Sequence, residues 1–156
     1  MSFTFAPPPI RERFDGPDGS TRRPWVDWLT SLTSQVASSP SRVRSAAVAG
    51  HAASIGATDL ADGTAGLYRL TYYARISAAA VTSSSLTVTF GFTDGGVACS
   101  VSGTAITGNT TATMGTGTVL VQSDASAPIT YATTYASNGA GEMTYTLYVM
   151  AEAVAL

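Results

Sequence analysis

The chain has 156 residues, of which 45% are apolar and only 12% are charged, and its formal net charge is −2. This length suits one domain whose core needs no metal or disulfide. The charge gives no basic surface for nucleic acid, and no apolar run reaches the length of a membrane span. The first residues lack the pattern of a secretory signal, so we expect no signal peptide.

Residues 1–23 form the first distinct segment, which contains the proline and glycine runs PPP and DGPDG. Proline removes backbone donors and glycine favours turns, so this segment predicts an extended arm. All eight basic residues are Arg and six of them precede residue 45, so charge falls abruptly along the chain. We therefore predict two parts, residues 1–41 for attachment and residues 42–156 as a β-sandwich domain.

A short amphipathic helix follows in the run PWVDWLTSLTSQV, which starts at Pro24. Its apolar residues recur at helical spacing and form one face, which we call the tryptophan stripe: Trp25, Trp28, Leu29, Leu32 and Val36. A helix of about 20 Å is too short to be stable alone in water, so the stripe needs a partner surface. That surface is the chain's own β-domain, the same helix of other copies, or another protein.

The run LYRLTYYARIS, residues 67–77, alternates with period two and predicts a β-strand with one apolar face. The opposite face carries four candidate subunit-interface residues: Leu67, Arg69, Tyr73 and Arg75. Aromatic residues with Arg, in the absence of Lys and Glu, are typical of a protein–protein interface. Arg and Tyr together also suit carbohydrate or carboxylate recognition, and the residues alone leave both interpretations open.

The rest of the chain has strand patterns at spacings of about 8–12 residues, separated by Gly, Asp, Asn and Ser turns. The run SLTVTFGFT points apolar residues to one side, and the closing run MTYTLYVMAEA does the same. The inward residues of these two strands are Leu86, Val88, Phe90, Phe92, Met143, Tyr145, Leu147, Val149 and Ala151. We predict an all-β fold, an antiparallel jelly-roll-like sandwich of seven or eight strands, with an immunoglobulin-like sandwich as the second choice.

The sequence predicts no catalytic, cofactor or metal site, and we expect no enzyme. His51 is the only histidine, and no second ligand lies at a suitable spacing. Asp59 and Asp62 lack the alternating oxygen ligands of a calcium loop. No G-x-S-x-G elbow and no phosphate-binding loop are present.

The run ATDLADGTAGLYRLTYYARISAAAVTSSSLTVTFGFTDGG, residues 57–96, resembles a pattern of small bacteriophage virion proteins. In that pattern an AGLYR-type strand, an aromatic continuation, a Thr/Ser-rich turn and a strand that ends in a TDG turn follow one another. The resemblance implies a short fibre, spike or decoration protein, on the head or the tail, whose N-terminal segment attaches to the particle.

This resemblance also implies partners and a location. We expect a homo-oligomer, most simply a trimer, in which the face of Leu67 and Tyr73 meets a neighbouring subunit. Other virion proteins would bind through residues 1–41, and a host surface glycan is a further expected ligand. The chain would be found in the virion, without nucleic acid or membrane insertion, and the alternative is a carbohydrate-binding or adhesive module.

Overall fold

The computed structural model describes residues 23–37, 44–124, 127–139 and 141–154, and within the helix it describes the side chains of residues 24–31. The chain divides into two units, residues 1–41 and residues 42–156, which are treated one at a time. In the first unit, α1 spans Arg23–Ala37, which confirms the predicted helix. Pro24 lies in the first turn, where its missing N–H has no helical partner to lose.

The described residues of the second unit form nine β-strands, all in antiparallel pairs. They are β1 (Arg44–His51), β2 (Thr58–Ala61), β3 (Gly66–Ala78), β4 (Ser83–Asp94), β5 (Val97–Ser102), β6 (Ile106–Thr107), β7 (Met114–Ser123), β8 (Ile129–Asn138) and β9 (Thr144–Val154). The count exceeds seven or eight because β1, which consists mostly of the small residues Ala, Ser and Gly, gave no strand signal.

The strands form two sheets, one in the order β1-β9-β3-β7 and the other in the order β2-β8-β4-β5, with β6 beside β4. The pairing is nested: β1 pairs with β9, β2 with β8, β3 with β7, and β4 with β5. A long antiparallel hairpin folded over on itself gives this pairing, which is the connectivity of a jelly roll. The predicted all-β sandwich is confirmed.

The core lies between the two sheets, and period-two alternation determines which side chains enter it. On β3 the buried residues are Tyr68, Leu70, Tyr72, Ala74 and Ile76. The predicted inward residues of the closing run, from Met143 just before β9 to Ala151, are all buried. Leu86, Val88 and Phe90 on β4 are also buried, while Phe92 is half-buried at the core's border. Each large apolar side chain buried in this way stabilises the fold by roughly 1.5–3 kcal/mol.

A buried hydrogen-bond cluster ties the two sheets together at one end. The Tyr145 hydroxyl on β9 donates to the carbonyl oxygen of Ala53 at 2.8 Å and lies 2.9 Å from the Thr133 hydroxyl on β8. The Ile55 N–H donates to the same Thr133 oxygen at 2.8 Å. Burial raises the pKa of the Tyr145 hydroxyl above its ordinary value, because the charged form loses hydration. The cluster fixes the link between β1 and β2 against the sandwich.

A tight hairpin turn joins β4 to β5, where the sequence reads TDGG. Asp94 pairs with Val97, and the two residues between them, Gly95 and Gly96, have φ of 57° and 78°. Positive φ at both central positions defines a type I′ turn, which glycine adopts without steric strain. The predicted turn therefore sets the register of the β4–β5 pair.

Candidate functional site

The outer surface of the four-stranded sheet is the candidate functional site, and we call it the aromatic face. It is formed by the outward side chains of β1, β9, β3 and β7. Its principal members are Ala47, Leu67, Arg69, Thr71, Tyr73, Arg75, Met114, Thr116, Thr118, Leu120, Thr146, Tyr148, Met150 and Glu152.

The four predicted interface residues lie together on this face, because they alternate with the buried residues of β3. Leu67 and Tyr73 are half-buried, whereas Arg69 and Arg75 are exposed. β3 is an interior strand of its sheet, between β9 and β7, so these residues form the central row of the face. The structure therefore places Leu67, Arg69, Tyr73 and Arg75 on a continuous outer surface.

Two tyrosines form the middle of the aromatic face. The register of β3 with β9 puts Tyr73 directly opposite Tyr148, and their ring centroids lie 6.1 Å apart at an interplanar angle of 42°. Beside them is a shallow depression of about 260 Å³, lined in part by Ala47, Thr71 and Met150. Tilted aromatic pairs at this spacing attract each other, so the two rings form one amphipathic patch.

The charged groups on this face are few. The Arg69 guanidinium donates to the Glu152 carboxylate at 3.1 Å, across the β3–β9 pair. Arg75 lies toward the other end of β3, between Met114 on β7 and Thr146 on β9. Because Glu152 balances the charge of Arg69, Arg75 is the one unbalanced charge among the described residues of this face.

The sequence analysis did not predict the apolar residues that β7 and β9 contribute to the aromatic face. Met114 is 60% exposed, Leu120 is 58% exposed and Tyr148 is 53% exposed, and all three lie on the aromatic face. Alternation along β9 implied that Tyr148 points outward, but only the strand register places it beside Tyr73. For β7, the run MGTGTVLVQS contains two glycines that weaken the alternation signal.

The outer surface of the five-stranded sheet is chemically different, and we call it the hydroxyl face. Its outward residues on β4, β5 and β8 are small, and most carry hydroxyl groups: Ser83, Ser85, Thr87, Thr89, Ser100, Ser102, Thr130, Ala132, Thr134 and Ala136. Thr89 and Ser102 lie 2.8 Å apart through their hydroxyl oxygens. Such a surface hydrogen-bonds to water without exposing large apolar side chains.

The structure describes the side chains of only part of the tryptophan stripe. Trp25 and Trp28 are half-buried and pack edge-to-face, with ring centroids 5.8 Å apart at 84°, and Leu29 is exposed. Val26 is also exposed, although it was not assigned to the stripe. The predicted stripe residues Leu32 and Val36 have side chains outside the described part of the chain.

The residues that were considered as catalytic or metal-binding candidates make packing and ion-pair contacts within the sandwich. His51 packs edge-on against Tyr145 with ring centroids 5.6 Å apart, and Asp62 pairs with Arg44 at 2.9 Å. Among the described residues, no three His, Cys, Asp or Glu side chains are grouped so that they could hold a metal ion. A cavity of about 250 Å³ opens on the flank between β5 and β7, where the Tyr72 ring lies against Gly103 and Gly117.

Comparison with protein-family models and with curated proteins gave no match. Within the described residues, no helix has both the length and the apolar character needed to cross a membrane. The support for a function therefore comes from the geometry of the aromatic face and from the division of the chain into two units.

Proposed function

We propose that this chain is a non-enzymatic structural protein of a bacteriophage particle, a fibre, spike or decoration component. In this proposal residues 1–41 attach the protein to the particle, and the jelly roll projects as a homo-oligomer. The observation that carries the proposal is the aromatic face, because its chemistry suits contact with another protein surface. Its location would be the virion, and its partners would be further copies of itself and other virion proteins.

The energetic argument begins with the exposed apolar residues of the aromatic face. Met114, Leu120 and Tyr148 are each more than half exposed in the single chain. Removing such side chains from water stabilises an assembly in proportion to the buried apolar area, about 25 cal/mol per Å². Tyr, Met and Arg are enriched at protein interfaces, while Lys and Glu are depleted. A neighbouring copy that covers this face, most simply around a three-fold axis, would remove these side chains from water.

The attachment role of residues 1–41 is supported by the division of the chain into two units. The described core residues run from Leu60 to Ala151, so all of them belong to the second unit. The first unit contributes a short helix with two tryptophans, which gains stability when it docks on a surface. We therefore assign attachment to the first unit and projection to the second.

Incorporation into particles tests this proposal. Antibodies against the protein should label purified phage particles from the strain that encodes it, seen by immunogold electron microscopy. A chain that lacks residues 1–41 should fold but be missing from particles. The double variant Trp25→Ala with Trp28→Ala should reduce incorporation while the sandwich keeps its thermal transition. Absence of the full-length protein from purified particles would contradict the proposal.

A carbohydrate-binding module is the second candidate, and the pair Tyr73 and Tyr148 beside the depression favours it. Sugar rings stack on exposed aromatic faces, and Arg69 could donate hydrogen bonds to a sugar hydroxyl or carboxylate. A glycan array probed with the full-length protein tests this candidate. Binding that Tyr148→Ala abolishes, and that Thr134→Ala on the hydroxyl face leaves unchanged, would support it.

A further inference from the structure

The sheet edges differ in how they are protected from pairing with another chain. Exposed strand edges carry unpaired N–H and C=O groups, and proteins protect them with charges, bulges or short strands. β1 begins with Arg44 and has a register shift near its end, β2 has only four residues and a shift, and β5 has six residues. Three of the four edges therefore carry at least one such protection.

β7 is the exception among the described edge strands. It has ten residues, Met114–Ser123, with the sequence MGTGTVLVQS, which contains no charged residue and no proline. Its register with β3 continues through ten residue pairs without a shift. A long, regular and uncharged edge of this kind is a template for a further strand.

The hydrogen-bond pattern shows which backbone groups of β7 point away from β3. The Ile76 N–H donates to the Thr113 carbonyl oxygen at 3.2 Å, in the same register as the β3–β7 pair. In an antiparallel pair such bonds recur at every second residue. The odd-numbered residues of β7 therefore bond to β3, and the even-numbered residues, from Met114 to Gln122, direct their N–H and C=O groups to the edge.

We infer that β7 pairs antiparallel with β7 of a second copy, around a two-fold axis at Gly117. In this register Met114 lies opposite Leu120 of the other copy, and Thr116 lies opposite Thr118. The two most exposed apolar residues of the strand then cover each other on the aromatic face. A strand without charge meets no repulsion from its own copy, and a two-fold axis makes the same edge complementary to itself.

This contact goes beyond the proposed function and does not depend on it. It uses the edge of the four-stranded sheet rather than its face, and it joins two sheets into one of eight strands. It would link two single copies or two trimers, so the assembly would contain an even number of chains. A phage location is not required for the pairing to form.

Hydrogen exchange of the full-length protein tests the inference without any substitution. We expect the amides of the even-numbered residues from Met114 to Gln122 to exchange more slowly as the protein concentration rises, while those of residues 97–102 on β5 keep the same rate. Contact at the face alone would leave the edge amides of β7 accessible. Exchange in residues 114–122 that does not depend on concentration would overturn the inference.

A matched pair of proline substitutions gives a second test. Thr118→Pro removes an N–H that β7 directs away from β3 and adds no charge to the aromatic face, and Ser100→Pro does the same on the edge strand β5. Light scattering should show that Thr118→Pro halves the number of chains in the assembly, and that Ser100→Pro leaves it unchanged. The inference is wrong if Thr118→Pro preserves the assembly, or if both substitutions reduce it equally.

Discussion

The two outer faces of the sandwich are equally poor in Lys, yet they expose different chemistry. The aromatic face presents Tyr148, Leu120 and Met114 to solvent, each more than half exposed. The hydroxyl face presents Ser, Thr and Ala, with the exposed Asp59 on the edge strand β2 as its only charge among the described outward residues. Low charge is therefore common to both faces, and exposed apolar area belongs to one of them.

This difference distinguishes a charge-poor surface that stays in water from a charge-poor surface that contacts another protein. Small hydroxyl side chains stay hydrated without Lys or Glu, so the hydroxyl face can remain in water at little energetic cost. Large apolar side chains gain free energy when another surface covers them. Low charge by itself does not identify an interface, and the exposed tyrosine, leucine and methionine are what favour contact at the aromatic face.

The largest expected effect tests the assignment of residues to the faces. Phe90 points into the core and Thr89, its neighbour on β4, points to the hydroxyl face. We expect Phe90→Ala to reduce the free energy of unfolding by about 3–5 kcal/mol, because it leaves a cavity. Thr89→Ala removes one exposed hydrogen bond to Ser102 and should change stability by less than about 0.5 kcal/mol. Chemical denaturation measures both, and similar losses would show that the faces are misassigned.

A smaller loss of unfolding free energy is expected when the buried Tyr145 hydroxyl, which forms hydrogen bonds between the two sheets, is removed. Tyr145→Phe removes the hydroxyl that contacts Ala53 and Thr133 and leaves the Ala53 carbonyl oxygen without its donor. We expect a loss of roughly 1–3 kcal/mol at neutral pH. Tyr148→Phe, an exposed tyrosine on the aromatic face, is the matched control and should be nearly neutral.

The same variant has a defined pH dependence. Because burial raises the pKa of folded Tyr145 above the ordinary value of 10.0, the folded state keeps its proton where the unfolded chain loses it. The stability from this hydroxyl is present below pH 10.0 and is lost as the pH rises through the folded-state pKa. The difference in unfolding free energy between wild type and Tyr145→Phe should therefore shrink at alkaline pH. A difference that stays constant there would contradict the assignment.

The smallest effect concerns the charges on the aromatic face. Arg69 and Glu152 form an ion pair in which the Arg69 side chain is 49% exposed. Exposed pairs contribute about 0–1 kcal/mol, so Arg69→Gln should shift the thermal transition only slightly. Arg75→Gln is the matched control, because Arg75 has no ion pair among the described residues. A large loss at Arg69 alone would show that this pair stabilises the face far more than its exposure indicates.

Much of the sandwich could be predicted from local pattern. The alternation of β3 and β9 identified their inward residues, because a strand with one buried face repeats every two residues. The glycines after Asp94 identified a turn, because only glycine adopts positive φ at two successive positions without strain. β1 was missed because most of its residues are small, three Ala with one Ser and one Gly among eight, so its two sides differ little in hydrophobicity.

The candidate site could be predicted only along one strand. Leu67, Arg69, Tyr73 and Arg75 share a face by alternation, but their neighbours depend on which strands pair with β3 and in what register. Tyr148 is 75 positions away from Tyr73 in the chain, and Leu120 comes from a third strand. Long-range pairing of this kind is decided by the whole core, so no local pattern reveals it.

The central claim is that the aromatic face, and not the hydroxyl face, contacts other copies. Thr71 and Thr87 form a matched pair, since each is half-buried in the middle of an interior strand, one on either face. Multi-angle light scattering of the full-length protein at micromolar concentration should give a multiple of 15.9 kDa for wild type and for Thr87→Glu, and a smaller assembly for Thr71→Glu. A wild-type monomer, or dissociation by Thr87→Glu to the same extent as by Thr71→Glu, would contradict the claim.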